Sequence, residues 1–273
     1  LAWRELFLFQ LALRTAQSGS TQGMGHGPDG PFCRRFFQNL PYALTQGQNR
    51  AIQTIKQSME AEKPMRLLLQ GDVGSGKTTA ALYAAGKAVD SRGQVAIMVP
   101  TSVLAQQMYA QVVKGFAGAG LECALVTGDI PHKQRIDLLT RAQTGSIQIL
   151  VGTQSLLHPG LRFANLSLVI IDEQHRFGVD QRRLLTAKGP TDLLVMSATP
   201  IPRSLGLTLY GDLDVAEIRD LPPGRSPVDT RVIHPNKRAE VYGFLRRQAH
   251  SGGQGYVVFP RIRCSLKGSG LAL

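Results

Sequence analysis

Six short apolar runs alternate along the chain with longer stretches of helical spacing: residues 66–70, 95–100, 124–127, 147–153, 168–172 and 193–197. That alternation predicts right-handed βαβ units, and so an α/β domain on a mainly parallel sheet. The informative residues fall at the ends of the runs: Gly71 onward, Pro100 and Thr101, Gly152 and Thr153, Asp172 and Glu173, and Ser197 with Ala198 and Thr199. Open parallel sheets bind ligands at the carboxyl ends of their strands, so these groups should converge on one edge.

The pattern changes at both ends of this block. Residues 1–14 are apolar but interrupted by Arg4 and Glu5, which predicts a short helix rather than a bilayer span or a signal peptide. Residues 18–31 are rich in Gly and small polar residues and predict a flexible linker. Thr45 is a good N-cap for a helix running to about Glu60. The Pro/Gly-rich stretch 221–227 predicts an interdomain linker, followed by a strand (229–233), a helix (238–249) and a strand (256–259). About 50 residues cannot complete another α/β domain, so the expected organisation is an N-terminal helix and linker (1–40), one complete domain (41–221) and the start of a second (222–273). A first residue of Leu rather than Met adds to the expectation of a fragment.

Composition sharpens this modestly. The 273 residues are 43% hydrophobic, ample for a buried core, and carry a formal net charge of +12, which favours an acidic polymer as partner. Nine Lys/Arg and two Asp/Glu lie from Leu221 onward, so +7 of that charge belongs to the C-terminal stretch. The three cysteines, Cys33, Cys123 and Cys264, have no metal-ligand spacing and read as free thiols of a reducing compartment. His132, His158, His234 and His250 show no ligand spacing either, and Phe7, Phe9, Phe36 and Phe37 read as packing residues.

Chemistry enters where the first run meets Gly71-Asp72-Val73-Gly74-Ser75-Gly76-Lys77-Thr78 and an Ala-rich helical stretch. Glycines at this spacing let successive N–H groups turn inward around phosphate oxygens, with Lys77 reaching the β and γ phosphates and Thr78 offering its hydroxyl to magnesium. The fifth run delivers Asp172 and Glu173, suited respectively to hold the metal's hydration shell and to orient and deprotonate an attacking water. Successive strand residues point to opposite sides, so the two roles require the strand to end there. A glycine turn or a solvated acidic turn would explain either motif alone; together they indicate a magnesium-nucleotide site.

The order Thr45-x-x-Gln48, Gly71 to Thr78, Pro100-Thr101, Gly152-Thr153, Asp172-Glu173-Gln174-His175 and Ser197-Ala198-Thr199 resembles the first motor domain of superfamily-two helicases. The longer elements at 172–179, 198–203 and 210–225 resemble the RecG family of bacterial branched-DNA helicases, and the resemblance runs over residues 1–259. It implies a RecA-like P-loop NTPase fold with an incomplete second RecA-like domain, ATP and Mg2+ as cofactors, and a helicase or translocase remodelling stalled forks and Holliday junctions. It further implies a monomeric cytoplasmic enzyme acting on DNA, without a membrane partner.

Carried onto matching positions, the resemblance has Gln48 and Thr45 reading the adenine edge with Tyr42 packed nearby. Pro100, Thr101, Gly152 and Thr153 would face the DNA backbone, although Thr101 could equally be a simple helix cap. Ser197 and Thr199 would couple the γ-phosphate state to domain movement, and Gln174 and His175 would sense the same event. The arginines that complete such a site come from the second motor domain, whose motifs do not follow Phe259. The family's wedge domain does not precede Leu1, and residues 261–265 replace an expected acidic sequence. The fragment is therefore expected to bind ATP-magnesium weakly and unwind little. Two rivals remain: a transcription-repair coupling translocase, which typically carries a second glutamate where this chain has Gln174-His175, and a nucleotide-binding module without turnover.

Overall fold

The structure, a computed structural model, describes residue 23 and residues 25–128, 130–172, 191–198, 213–220 and 229–258. The first predicted helix, Glu173, Gln174, His175, Thr199 and the linker at 221–227 lie outside them. The chain divides into two compact units between Arg225 and Ser226.

The first unit holds a seven-stranded sheet of β1 (Arg66–Gly71), β2 (Gln94–Met98), β3 (Cys123–Val126), β4 (Ile149–Gly152), β5 (Leu166–Asp172), β6 (Asp192–Ser197) and β7 (Asp214–Ile218). The spatial order is β3-β4-β2-β5-β6-β1-β7, and every neighbouring pair is parallel. The described helices are α1 (Pro31–Gln38), α2 (Gln46–Glu60), α3 (Lys77–Asp90), α4 (Ser102–Gly115) and α5 (His132–Gln143). The connections β1→β2 and β2→β3 step toward the β3 edge and carry α3 and α4 on one face; β3→β4 steps back and carries α5 on the other. That division is what right-handed crossovers require.

Strand alternation sorts the core. Leu67, Leu69, Ile97, Val151, Leu168, Ile170 and Met196 face α1 to α4, while Leu68, Met98, Leu150, Val169, Ile171 and Val195 face α5. Because both faces are covered, the central strands read as continuous apolar runs. Helix α3 is buried all round from Thr79 to Val89, which its alanines permit by letting strands and helices approach closely. The seventh strand was not expected. Its Asp214-Val215-Ala216-Glu217-Ile218 exposes three residues and buries only Ala216 and Ile218, the pattern of an edge strand.

The expected flexible linker is corrected over its described part, because two polar side chains find distant partners. His26 Nε2 lies 2.9 Å from Asp192 Oδ2, and its backbone N–H donates to Met59 O. Asp29 accepts from Lys87 Nζ (3.1 Å) and from the Tyr83 hydroxyl (2.9 Å). Lys87, fully buried in α3, also donates to Glu60 Oε1 at 2.7 Å and to Gly27 O at 2.9 Å. Asp90 then accepts the N–H groups of Gly30, Phe32 and Cys33, satisfying the first turn of α1 at its proline start. Glycine-rich composition gave no sign of these contacts.

In the second unit a 3-10 turn (Pro235–Lys237) leads into α6 (Arg238–His250), which buries none of its residues. The strands expected at 229–233 and 256–259 do not form among the described residues. Their backbone groups have no neighbouring strand there to supply ladder hydrogen bonds.

Two outcomes follow from the Lys87 cluster. Lys87→Met should destabilise the first unit by about 1–3 kcal/mol in urea unfolding, since it leaves Asp29 and Glu60 without their shared cation. The cluster also sets a pH window. Burial alone would raise the Asp29 pKa, but hydrogen bonds from Lys87 and Tyr83 hold it below its ordinary value; burial alone would lower that of Lys87, but Glu60 and Asp29 hold it above. The Asp29 contribution is thus present above the ordinary carboxylate pKa and is lost as pH falls through the depressed one. The Lys87 contribution is present below the ordinary ammonium pKa and is lost as pH rises through the elevated one. Thermal midpoints across pH should show the acid-side loss shrink in Asp29→Asn.

Candidate nucleotide site

Strand β1 ends at Gly71 and α3 begins at Lys77, so five residues turn the chain between them. Gly74 and Gly76 adopt φ of 79° and 93°, a left-handed conformation that costs glycine nothing. Gly76 is required a second way, because a Cβ there would overlap the Gln48 side-chain amide. It is also the N-cap of α3 and offers no side chain to that helix end, whose first N–H groups have no intrahelical acceptor. Such an end is an anion cradle. Lys77 Nζ donates to Gly71 O at 2.6 Å and Asp72 O at 2.9 Å, which holds the ammonium over the loop. Ser75 Oγ is buried in the same loop without a hydrogen-bond partner.

Helix α2 closes the loop from behind. Thr45 and Gln48 form a capping box, with Gln48 N donating to Thr45 Oγ1 at 3.2 Å and Thr45 N to Gln48 Oε1 at 3.0 Å. The other end of the Gln48 amide donates to Ser75 O at 2.8 Å. Gln48 is thus bound to the phosphate loop from a nearly buried position. Tyr42, about half exposed, has its hydroxyl 2.8 Å from Thr79 Oγ1.

Asp172 is the last residue of β5 and shares strand parity with Leu168 and Ile170, which sends it to the α3 side. It lines a cleft of about 460 Å³ together with Gly76, Lys77, Thr78, Tyr42 and Ala198, a size suited to a nucleotide. Among the described residues no group of three or more His, Cys, Asp or Glu gathers to hold a metal. The oxygen donors on this cleft include the Thr78 hydroxyl and one carboxylate, Asp172, while the hydroxyls of Tyr42 and Thr79 engage each other; the first two fit Mg2+ completing its shell with water and phosphate oxygens. Ser197 pairs in register with Gln70, and its parity with Leu193 and Val195 turns it to the opposite face from Asp172.

The four candidate DNA contacts also meet. Strands β2 and β4 are neighbours, and Val99 N donates to Gly152 O at 2.9 Å, so Pro100, Thr101, Gly152 and Thr153 share the carboxyl edge. Local structure explains part of this set. Thr101 Oγ1 caps α4 by accepting from Leu104 N, Thr153 Oγ1 lies 2.9 Å from Ser155 Oγ, and a Cβ on Gly152 would crowd Val126 O. The sequence reading missed Asn39, which donates from Nδ2 to Gly115 O and Ala117 O and lines the cleft, and Gln111 and Lys114 of α4, which line it too. None of these belongs to a motif, and their nearness follows from Asn39 and Phe36 meeting the end of α4 at Gly115 and Phe116.

The family of DEAD/DEAH box helicases matches residues 45–206. The chain is 44% identical to the ATP-dependent DNA helicase RecG of Thermotoga maritima, covering 98% of this chain and 35% of that protein. It is 43% identical to that of Aquifex aeolicus, covering 96% and 34%. It therefore spans about a third of the length of these relatives. A solved structure of RecG bound to a three-way DNA junction superposes with a TM-score of 0.83 at 41% identity, covering 96% of this chain and 36% of that one. A structure of the helicase MrfA bound to DNA, at 19% identity and a TM-score of 0.59, shares the fold. The resemblance to RecG drawn from the motifs is borne out along nearly the whole chain. With its parallel RecA-like sheet and a match over more than half its length, this chain belongs to the DEAD/DEAH box helicase family.

Proposed function

We propose that this chain is the ATP-binding motor portion of a RecG-like DNA helicase that couples ATP hydrolysis to remodelling of branched DNA, stalled forks and Holliday junctions included. The observation that supports it most is the meeting of Lys77, Thr78 and Asp172 on one cleft, in a chain similar to RecG from end to end. Branched DNA as the partner is supported by the RecG relative whose structure holds a three-way DNA junction. The basic composition fits a polyanion, and no described helix is long and apolar enough to cross a membrane. We place the protein, as a monomer, on DNA in the bacterial cytoplasm.

Lys77 and the N-terminus of α3 would hold the β and γ phosphates, and the Thr78 hydroxyl and the Asp172 carboxylate would hold Mg2+, the latter through water. Magnesium supplies charge neutralisation for phosphoryl transfer. Glu173, next along the chain, would orient and deprotonate the attacking water. Gly71, Asp72, Val73, Gly74, Ser75 and Gly76 shape the cradle, and Thr45 and Gln48 would address the adenine edge. Pro100, Thr101, Gly152 and Thr153 would track the DNA backbone with small or hydroxyl side chains. Gln174, His175, Ser197 and Thr199 would report the γ-phosphate state. Arginines from a complete second motor domain would finish the site.

Lys77→Ala should weaken Mg-ADP binding by about two orders of magnitude, as expected for loss of a charge-assisted phosphate contact, and abolish hydrolysis. Glu173→Gln should keep nucleotide affinity and remove turnover. Fork-DNA-stimulated ATPase of the full-length protein is the deciding measurement: no stimulation, with wild type and Lys77→Ala alike, would leave the motor reading without support.

A further inference from the structure

We propose that Asp220 is a positioning residue that couples the phosphate loop to the segment joining the two units; this rests on the nucleotide reading above. Asp220 lies two residues past the end of β7, separated from it by Arg219, and the chain then enters residues 221–228. Its carboxylate accepts the backbone N–H of Gly47, the second residue of α2. Helix α2 has no acidic residue in its own first turn, so this distant carboxylate meets the positive end of its dipole.

Position 47 is shaped for that contact, since a Cβ there would sit 2.8 Å from Asp220 Oδ2. One residue later Gln48 donates to Ser75 O, and the space beside Gly76 is filled by the same amide. Asp220, the first turn of α2 and the phosphate loop therefore form one unbroken set of contacts. A second route runs in parallel: Gly71 is in register with Ile218, and a Cβ on Gly71 would come within 2.9 Å of Ile218 O. Any shift of the loop when phosphate enters is passed to the end of β7 by both routes. By linkage, whatever pulls on residues 221–228 alters nucleotide affinity.

The test uses the full-length protein, a fluorescent ADP analogue with Mg2+, and trypsin acting at Arg225, the only basic residue in 221–228. In the wild type, ADP should slow cleavage at Arg225 several-fold. Asp220→Ala should raise the nucleotide Kd about five- to tenfold, the scale of a lost helix cap, and make cleavage insensitive to ADP. Asp220→Glu should restore both. An alanine variant with wild-type Kd, or with the ADP effect intact, overturns the proposal, as does failure of Asp220→Glu to restore the effect. Should Asp220→Ala not fold, hydrogen exchange at the Gly47 amide of the wild type decides: slowing on ADP addition supports the coupling, and no change overturns it. A wild type that binds no ADP defeats the nucleotide reading itself.

Discussion

The site depends on β5 and β6 lying between β1 and β2. Because β1 must cross both of them to reach β2, its crossover helix α3 lies along the face to which Asp172 points. The phosphate loop and the carboxylate are about a hundred residues apart in sequence, and only the parallel order of the sheet brings them to one cleft. Hydrogen-bond register does the rest. Gln70 opposite Ser197 and Asp172 opposite Met196 align the three strand ends, so no loop has to bend far to deliver its residue.

Five of the seven strands were legible because a parallel strand covered on both faces is a plain apolar run; β3 was legible too, from its short apolar stretch, although it lies at an edge and buries only Val126. The edge strand β7 was not, since Asp214 and Glu217 face outward and break the run. Thr45 was legible twice over, as a helix start and as part of a family motif, whereas Gln48 was legible only through the motif; the capping box alone explains their spacing. The glycine turn between β1 and α3 was legible because Gly74 and Gly76 take the positive φ that only glycine adopts at no cost. Asn39, Lys87, Asp90 and Asp220 were not, because each acts on a partner from another element, and sequence distance hides such pairs.

Lys87 shows how a charged group is accommodated in a core this apolar. A lone ammonium inside α3 would be strongly unfavourable; two carboxylates and a carbonyl replace its water, and all three come from segments outside α3. The ion cluster thereby specifies where residues 25–30 must lie. His26 on Asp192 fixes the same stretch a second time, at the amino end of β6. From there α1 runs on toward Asn39 and Tyr42 at the cleft, so the stretch connects the two ends of the sheet by a path independent of the strands.

Helix α3 carries Lys77 and Thr78 at one end, yet from Thr79 to Val89 it has no face toward solvent. A rod enclosed on every side can neither roll nor slide without opening the sheet or tearing residues 25–30 from Lys87. With nucleotide bound at Lys77 as proposed, a displacement of that end could not be taken up by rolling or sliding of this helix, and the first unit would act as an anvil under the phosphates.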